Sequence, residues 1–307
     1  PPRSTLSPSS AASDVYKRQE YNAAEKQLVK KVLRLAHNNI ELFRYNKLIT
    51  TVAYVASRYG VNLPEVFRFK LRRYYTYLSE AKLIGRALEQ EGVRYAIVKT
   101  FSSVPKDISD IDLLLFSEDD NDASVKVLRS LGYHERKSGI KQNLFSKKVK
   151  NLIVDVELHT SIAVAGYEYY SKEIVFTRLK VIDDIFVTSD LDHLLIIASH
   201  DVLKDLYITL AHLIDALIIL NNIDKSKLVT EASLQGVSMP LFVYTYILNI
   251  LNGRCSDLTS YASRFVWIMI DPLFRRVSTT ELVIKVPLII SVFSYYENAM
   301  KSMRRKG

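Results

Sequence analysis

The sequence predicts an α+β fold: a mixed, largely antiparallel sheet with flanking helices, preceded by N-terminal helices and followed by a C-terminal helical bundle. Three observations lead there. Residues 109–115 read Ser-Asp-Ile-Asp-Leu-Leu-Leu and residues 154–159 read Val-Asp-Val-Glu-Leu-His, two runs in which acids alternate with apolar residues at the period of a strand. Apolar residues recur at three- and four-residue spacing before residue 92 and after residue 188, the period of a helix face. Between these regions, short β-prone runs are separated by polar and basic turns.

Length and composition set the frame. A chain of 307 residues with 48% hydrophobic content can bury a sizeable core in one large or two medium domains. Lys and Arg outnumber Asp and Glu by 42 to 33, a net charge of +9, which favours polyanionic partners without choosing among nucleotides, nucleic acid and anionic lipid. The single cysteine, Cys255, excludes an internal disulfide and a Cys-based zinc site and fits a reducing, cytoplasmic setting. No apolar run reaches the roughly 18–20 residues of a membrane span; the runs at 191–198 and 286–293 read as buried helices.

Taken in order, residues 1–19 are rich in Pro, Ser and Ala, lack periodicity, and are expected to be a disordered, non-native leader. Residues 20–91 are expected to form N-terminal helices. Leu28, Val32, Leu35 and Ala36 share one face, Leu48, Thr51, Val52 and Val55 another, and Gly60 stops the pattern. A second stretch runs from 63 to 91, with Pro64 at its start and Gly92 past its end. Its segment 68–75 interleaves Arg and Lys with Phe and Tyr, which fits a nucleic-acid surface but more simply a helix with one solvated and one packed face. Tyr74, Tyr75 and Tyr77 then belong to a core or an interface.

Residues 92–187 are expected to hold the α/β core. Strands are predicted at 94–99 and from Asp110 to Leu115, with a polar loop at 100–109 between them. A helix at 123–131 ends at Gly132, and strands follow at 133–137, 142–148 and 152–159. Lys147, Lys148 and Lys150 mark a solvated hairpin turn. Residues 188–307 are expected to be a helical domain, with helices at 190–203, 205–220, 225–234, 240–251, 258–270 and 282–303.

If the two acid-bearing strands are neighbours, Asp110, Asp112, Asp155 and Glu157 converge. Like charges a few ångströms apart repel, so such a cluster calls for a cation. Mg²⁺ takes hard oxygen ligands and combines one or two carboxylates with water and substrate phosphates. Two such ions about 4 Å apart can hold an attacking hydroxyl and a leaving pyrophosphate in line. The plainer reading of Asp110 and Asp112 is the solvated face of an edge strand. His159 reads as a packed or hydrogen-bonded histidine at a strand end, and His200 as a core residue of its helix.

Val98-Lys99, the loop, Asp110-Ile111-Asp112-Leu113-Leu114 and the later Glu157-Leu158-His159 resemble the core of the polymerase-β-type nucleotidyltransferase superfamily. They are most similar to its uncharacterised nucleotidyltransferase family. Asp192-His193-Leu194-Leu195, His200 and Ile214-Asp215-Ala216 are similar to the helical segment that follows there, so the resemblance spans about residues 92–220. It implies a nucleotidyltransferase-like sheet and Mg²⁺-dependent transfer of a nucleoside monophosphate from an NTP such as ATP, with two Mg²⁺ or Mn²⁺ ions. Asp110 and Asp112 would hold both ions, and Asp155 or Glu157 would be the third carboxylate. Lys99, Thr100, Ser102, Ser103 and Lys106 would face the triphosphate. The acceptor stays open among small molecules, RNA and protein, and no membrane is implied. Where the superfamily carries Gly-Ser or Gly-Gly after the first strand, this chain has Lys99-Thr100-Phe101-Ser102-Ser103. That departure motivates the alternative of a catalytically degenerate module that binds nucleotide, RNA or a protein partner. A toxin–antitoxin component is a third possibility.

Overall fold

The computed structural model describes residues 23–136, 143–164, 167–251 and 284–285. The expected leader at 1–19 and the expected helix at 258–270 lie outside them.

The first expected helical region is broken where the sequence offers asparagine. It forms α1 (Ala23–Asn38), α2 (Ile40–Tyr45) and α3 (Ile49–Arg58). Between α2 and α3, Lys47 takes a left-handed backbone with φ of 56°. The long α4 (Glu65–Gln90) follows, its Pro64 standing just before the first turn. Leu33, Ala36, Ile49, Ala53 and Phe67 close a small core between these helices.

The predicted strands are present: β1 (Tyr95–Val98), β2 (Ile111–Leu115), β3 (His134–Arg136), β4 (Asn143–Val149) and β5 (Leu152–His159), with α5 (Glu118–Ser130) between β2 and β3. Ser117 and Asp120 cap α5 reciprocally, each side chain bonding the other's backbone N–H. A hairpin of β6 (Ile162–Val164) and β7 (Tyr167–Tyr170) comes next, then α6 (Lys172–Thr177). Residues 180–187 add β8 (Lys180–Ile182) and β9 (Ile185–Val187), two strands too short to show a period in the sequence.

Among the described residues the main sheet has seven strands in the order β3-β4-β5-β2-β1-β9-β8. The pairs β5·β2 and β2·β1 place the acidic strands at its centre, parallel to each other and antiparallel to β1. Alternation sorts the side chains. Ile111, Leu113, Leu115, Val154, Val156 and Leu158 pack in a core with α4 and α5. Ala96, Val98 and Leu114 pack in another with the C-terminal helices. Every residue of β2 is buried, so this strand is covered on both faces. It is not the solvated edge that its acids allow.

The C-terminal region holds α7 (Asp190–His200), α8 (Leu210–Asn222), α9 (Lys225–Gln235) and α10 (Ser238–Leu251). The expected helix at 205–220 is corrected at its start. A π-helical turn spans Asp201–Asp205, Leu206 adopts a left-handed φ of 57°, and β10 (Tyr207–Ile208) precedes α8. Thr209 explains where α8 begins, because its hydroxyl accepts the His212 N–H as an N-cap. The expected helix at 282–303 is corrected at 284–285, which form β11 (Ile284–Lys285) antiparallel to β10; the rest of it lies outside the described residues. No helix among the described residues is long and apolar enough to cross a membrane.

Candidate metal and nucleotide site

The parallel register sets Asp112 of β2 beside Glu157 of β5. Both point to the face of the sheet covered by the C-terminal helices, as does His159. Ligand atoms of Asp112, Glu157 and His159 all lie within 4.8 Å of one another. The Nε2 of His159 stands 2.9 Å from Oδ1 of Asp112 and 3.7 Å from Oε1 of Glu157. Lys99, at the end of β1, brings its ammonium to 3.1 Å from the same Asp112 oxygen. Burial disfavours the Asp112 carboxylate, but Lys99 and His159 more than offset this and hold its pKa far below the ordinary range. Burial likewise opposes the Lys99 charge, and Asp112 reverses the balance, raising its pKa.

Asp110 precedes β2 and lines the same cavity as Asp112 and Glu157. Its pKa is raised, first by burial and then by the Asp112 charge. The carboxyl accepts a hydrogen bond of 2.8 Å from Ser109 Oγ. The loop carrying it is fixed from below by α4: Arg73 donates to the carbonyls of Ile108 and Ser109, and the Tyr77 hydroxyl donates to Ser109 O at 2.7 Å. Arg68 and Arg72 both pair with Glu65, and Lys70 with Asp107. Within 68–75, Lys70, Arg73 and the buried Tyr74 pack towards the scaffold, while Arg68, Phe69, Arg72 and Tyr75 are exposed.

The glycine question has a structural answer. Backbone with positive φ occurs at Lys99, at 58°, and the next residue packs its side chain inward. Thr100 is buried; its Oγ1 accepts the Asp112 N–H at 3.0 Å and lies 3.2 Å from the Val98 carbonyl. The hydroxyl thus pins the loop to β2, which a glycine could not do.

The cavity has a volume of about 350 Å³. Asp107, Asp201 and Asp205 line it besides Asp110, Asp112 and Glu157, and its wall also includes Lys47, Lys99, Lys106 and Lys204. Lys106 is buried with its ammonium 3.2 Å from Asp215 on α8, which in turn lies 3.3 Å from Nε2 of His193. Burial lowers the Lys106 pKa despite Asp215. Of the residues expected to face a triphosphate, Lys99, Thr100 and Lys106 line the cavity; Ser102 and Ser103 do not. Ser102 donates to the Val104 carbonyl within its own loop.

Asp155 is separate. It shares a face with Glu157, yet its carboxylate accepts a hydrogen bond from Ser146 of β4 and lies 3.7 Å from Arg136. Of the two alternatives for a third carboxylate, Glu157 is the one beside Asp112. The sequence reading had no signal for Lys47, whose side chain enters through a break between helices. It also placed His200 in a core, whereas His200 lines the cavity.

The donor set fits a hard divalent cation on the geometry of these residues. Asp112 and Glu157 meet one ammonium and one imidazole, and Asp110 lines the same cavity with its pKa raised first by burial and then by the Asp112 charge. Glu157 Oε1 is shielded from solvent and has no hydrogen-bond partner among the described residues. A buried carboxylate oxygen without a partner is costly unless a cation takes it. No protein-family model, curated protein or solved structure matches the chain.

Proposed function

We propose that the protein is a Mg²⁺-dependent nucleotidyltransferase that moves a nucleoside monophosphate from an NTP to an acceptor. The observation that carries this reading is Asp112 beside Glu157, their ligand atoms within 4.8 Å, in a cavity that Asp110 also lines, with Glu157 Oε1 buried and without a hydrogen-bond partner among the described residues. Asp112 and Glu157 would hold one ion, and Asp110 with Asp112 a second. Bound Mg²⁺ supplies charge neutralisation of the phosphates and in-line orientation for transfer. Lys47, Lys99 and Lys204 line the same cavity, where their ammonium groups would pair with phosphate oxygens once cations neutralise the carboxylates. Lys99 also keeps Asp112 ionised and ready to bind a cation, while Thr100 fixes the backbone from which Asp112 projects.

The test is binding of NTPs labelled at the α-phosphate, with Mg²⁺, to the wild type and to Asp110→Asn/Asp112→Asn. The reading expects Mg²⁺-dependent binding that the double variant loses by on the order of a hundredfold. Equal binding by the two proteins contradicts it.

A second reading is favoured by one contact. The Lys99 ammonium, 3.1 Å from Asp112, is a cation already built into the acidic cluster. A degenerate module would use it in place of metal and bind its nucleotide or other polyanion without catalysis. Binding that survives chelation of Mg²⁺ and disappears in Lys99→Ala supports this second reading over the first.

A further inference from the structure

Beside the large cavity lies a smaller one of about 40 Å³, with a different chemistry. A bound water needs about 10–15 Å³, so the space suits about three waters or one phosphoryl group. Lys99, Lys204, His159, His200 and Ser161 line it, with Ala163 of β6. No Asp or Glu lines it among the described residues, whereas six line the large cavity. Lys99, His200 and Lys204 line both, so the two cavities adjoin across these side chains.

Two ammonium groups and a hydroxyl, with no carboxylate on the wall to compete, are donors suited to a phosphate. The Lys99 ammonium carries three N–H groups, and Asp112 at 3.1 Å takes one. Lys99 also holds a left-handed backbone with φ of 58°, and strained backbone of this kind clusters at ligand sites. Lys204 belongs to the π-helical turn and is exposed, so pairing it with an anion costs little desolvation.

We infer that the small cavity is a subsite for a phosphate group of the acceptor. The inference rests on the proposed nucleotidyltransferase reading and gives its acceptor a chemical class, a phosphorylated compound. The β- and γ-phosphates of an NTP travel with Mg²⁺. Asp112 and Glu157, which would hold the ions, line the large cavity and not the small one. A phosphate held by lysines away from those carboxylates is one that does not travel with the ions, and the acceptor's phosphate meets that condition. Bound there, it anchors the acceptor next to the nucleotide, so that transfer proceeds between two positioned substrates.

Inorganic phosphate is the probe. Its binding is measured by equilibrium dialysis of the radiolabelled ion in Mg²⁺, with and without an equimolar mixture of the four α,β-methylene NTPs, which bind without transfer. Binding of these analogues and of Mn²⁺ is measured separately. Wild type is expected to bind phosphate with an affinity that changes less than about threefold when the analogues are present, because the two ligands occupy different cavities. Ala163→Val fills the small cavity with two methyl groups and is expected to weaken phosphate by about tenfold or more, with Mn²⁺ and analogue affinities within about threefold of wild type. Ser161→Ala removes a donor without adding volume and is expected to weaken phosphate about two- to tenfold under the same controls. Where Ala163→Val loses Mn²⁺ as well, it is misfolded and Ser161→Ala decides. The inference is overturned if wild type binds no phosphate, if the analogues displace it, or if the variants bind it as wild type does. Displacement would assign the small cavity to the NTP itself. A wild type that binds Mn²⁺ and the analogues but no phosphate leaves the nucleotidyltransferase reading standing. A wild type that binds no analogue overturns that reading, and this inference with it.

Discussion

Thr100 carries the sharpest residue-level argument. Its hydroxyl occupies the place where the resemblance expects a glycine, and it accepts the N–H of Asp112. Thr100→Val keeps the shape and removes the acceptor, leaving a buried amide unpaired. The expected cost is about 1–3 kcal/mol of stability, read from the urea midpoint, with a larger loss in metal affinity because Asp112 is released from its position. A valine variant as stable as wild type and equally able to bind metal would show that the hydroxyl is incidental. Thr100 also shows how far residue types alone could be read. The sequence offered a hydroxyl in a polar loop, which suits phosphate binding. Only the three-dimensional packing turns that hydroxyl towards the strand. Glu157 and Asp155 make the same point: both were legible as acids on one strand face, and the register with β2 separates them.

The loop between β1 and β2 is the element on which the molecule turns. Its Lys106 reaches Asp215 on α8, and its Asp107 accepts the Thr50 N–H at the start of α3. Two distant regions of the chain are thereby tied to the segment that carries Asp110. Breaking a buried ion pair by removing one partner costs about 3–5 kcal/mol, whereas an apolar replacement of both is often near neutral. Lys106→Met is therefore expected to lower stability by roughly that amount, and Lys106→Met/Asp215→Leu to recover most of it, as measured by thermal unfolding. Additive losses in the double variant would mean that the two residues do not act as a pair. At this scale the sequence was partly legible. The alternating strands and the helices α4 and α5 follow from periodicity and from their glycine and serine punctuation. The hairpin β8–β9, at three residues per strand, is too short to carry a period. The break at 201–209 has no glycine or proline to mark it, and a π turn and an α-helix look alike there. Strand β11 pairs across nearly eighty residues, a distance that local pattern does not encode.

For the molecule as a whole, buried histidines in the C-terminal helices couple folding to pH. Burial lowers the pKa of His193 and of His212, in each case against a neighbouring aspartate that favours the charge. Unfolded imidazoles protonate near pH 6.5. Below that value the unfolded chain binds more protons than the folded one, so stability falls as pH falls. The slope is up to about 1.4 kcal/mol per pH unit for each histidine. Asp110, whose pKa is raised, works in the opposite direction nearer the carboxylate range. Urea unfolding between pH 7.5 and 5 is expected to show a declining midpoint, and His193→Gln/His212→Asn a flatter profile. A wild-type midpoint that does not decline would remove the histidines from this account.

The central claim concerns Asp112 beside Glu157 in a cavity that Asp110 also lines, and counting bound Mn²⁺ tests it directly. Wild type is expected to bind Mn²⁺ in competition with Mg²⁺. Asp110→Asn and Glu157→Gln should each weaken binding by on the order of tenfold or more, while Asp155→Asn, whose side chain faces Ser146 and Arg136, should bind like wild type. A chain that binds no Mn²⁺, or one that loses it through Asp155→Asn and keeps it through Glu157→Gln, would contradict the account.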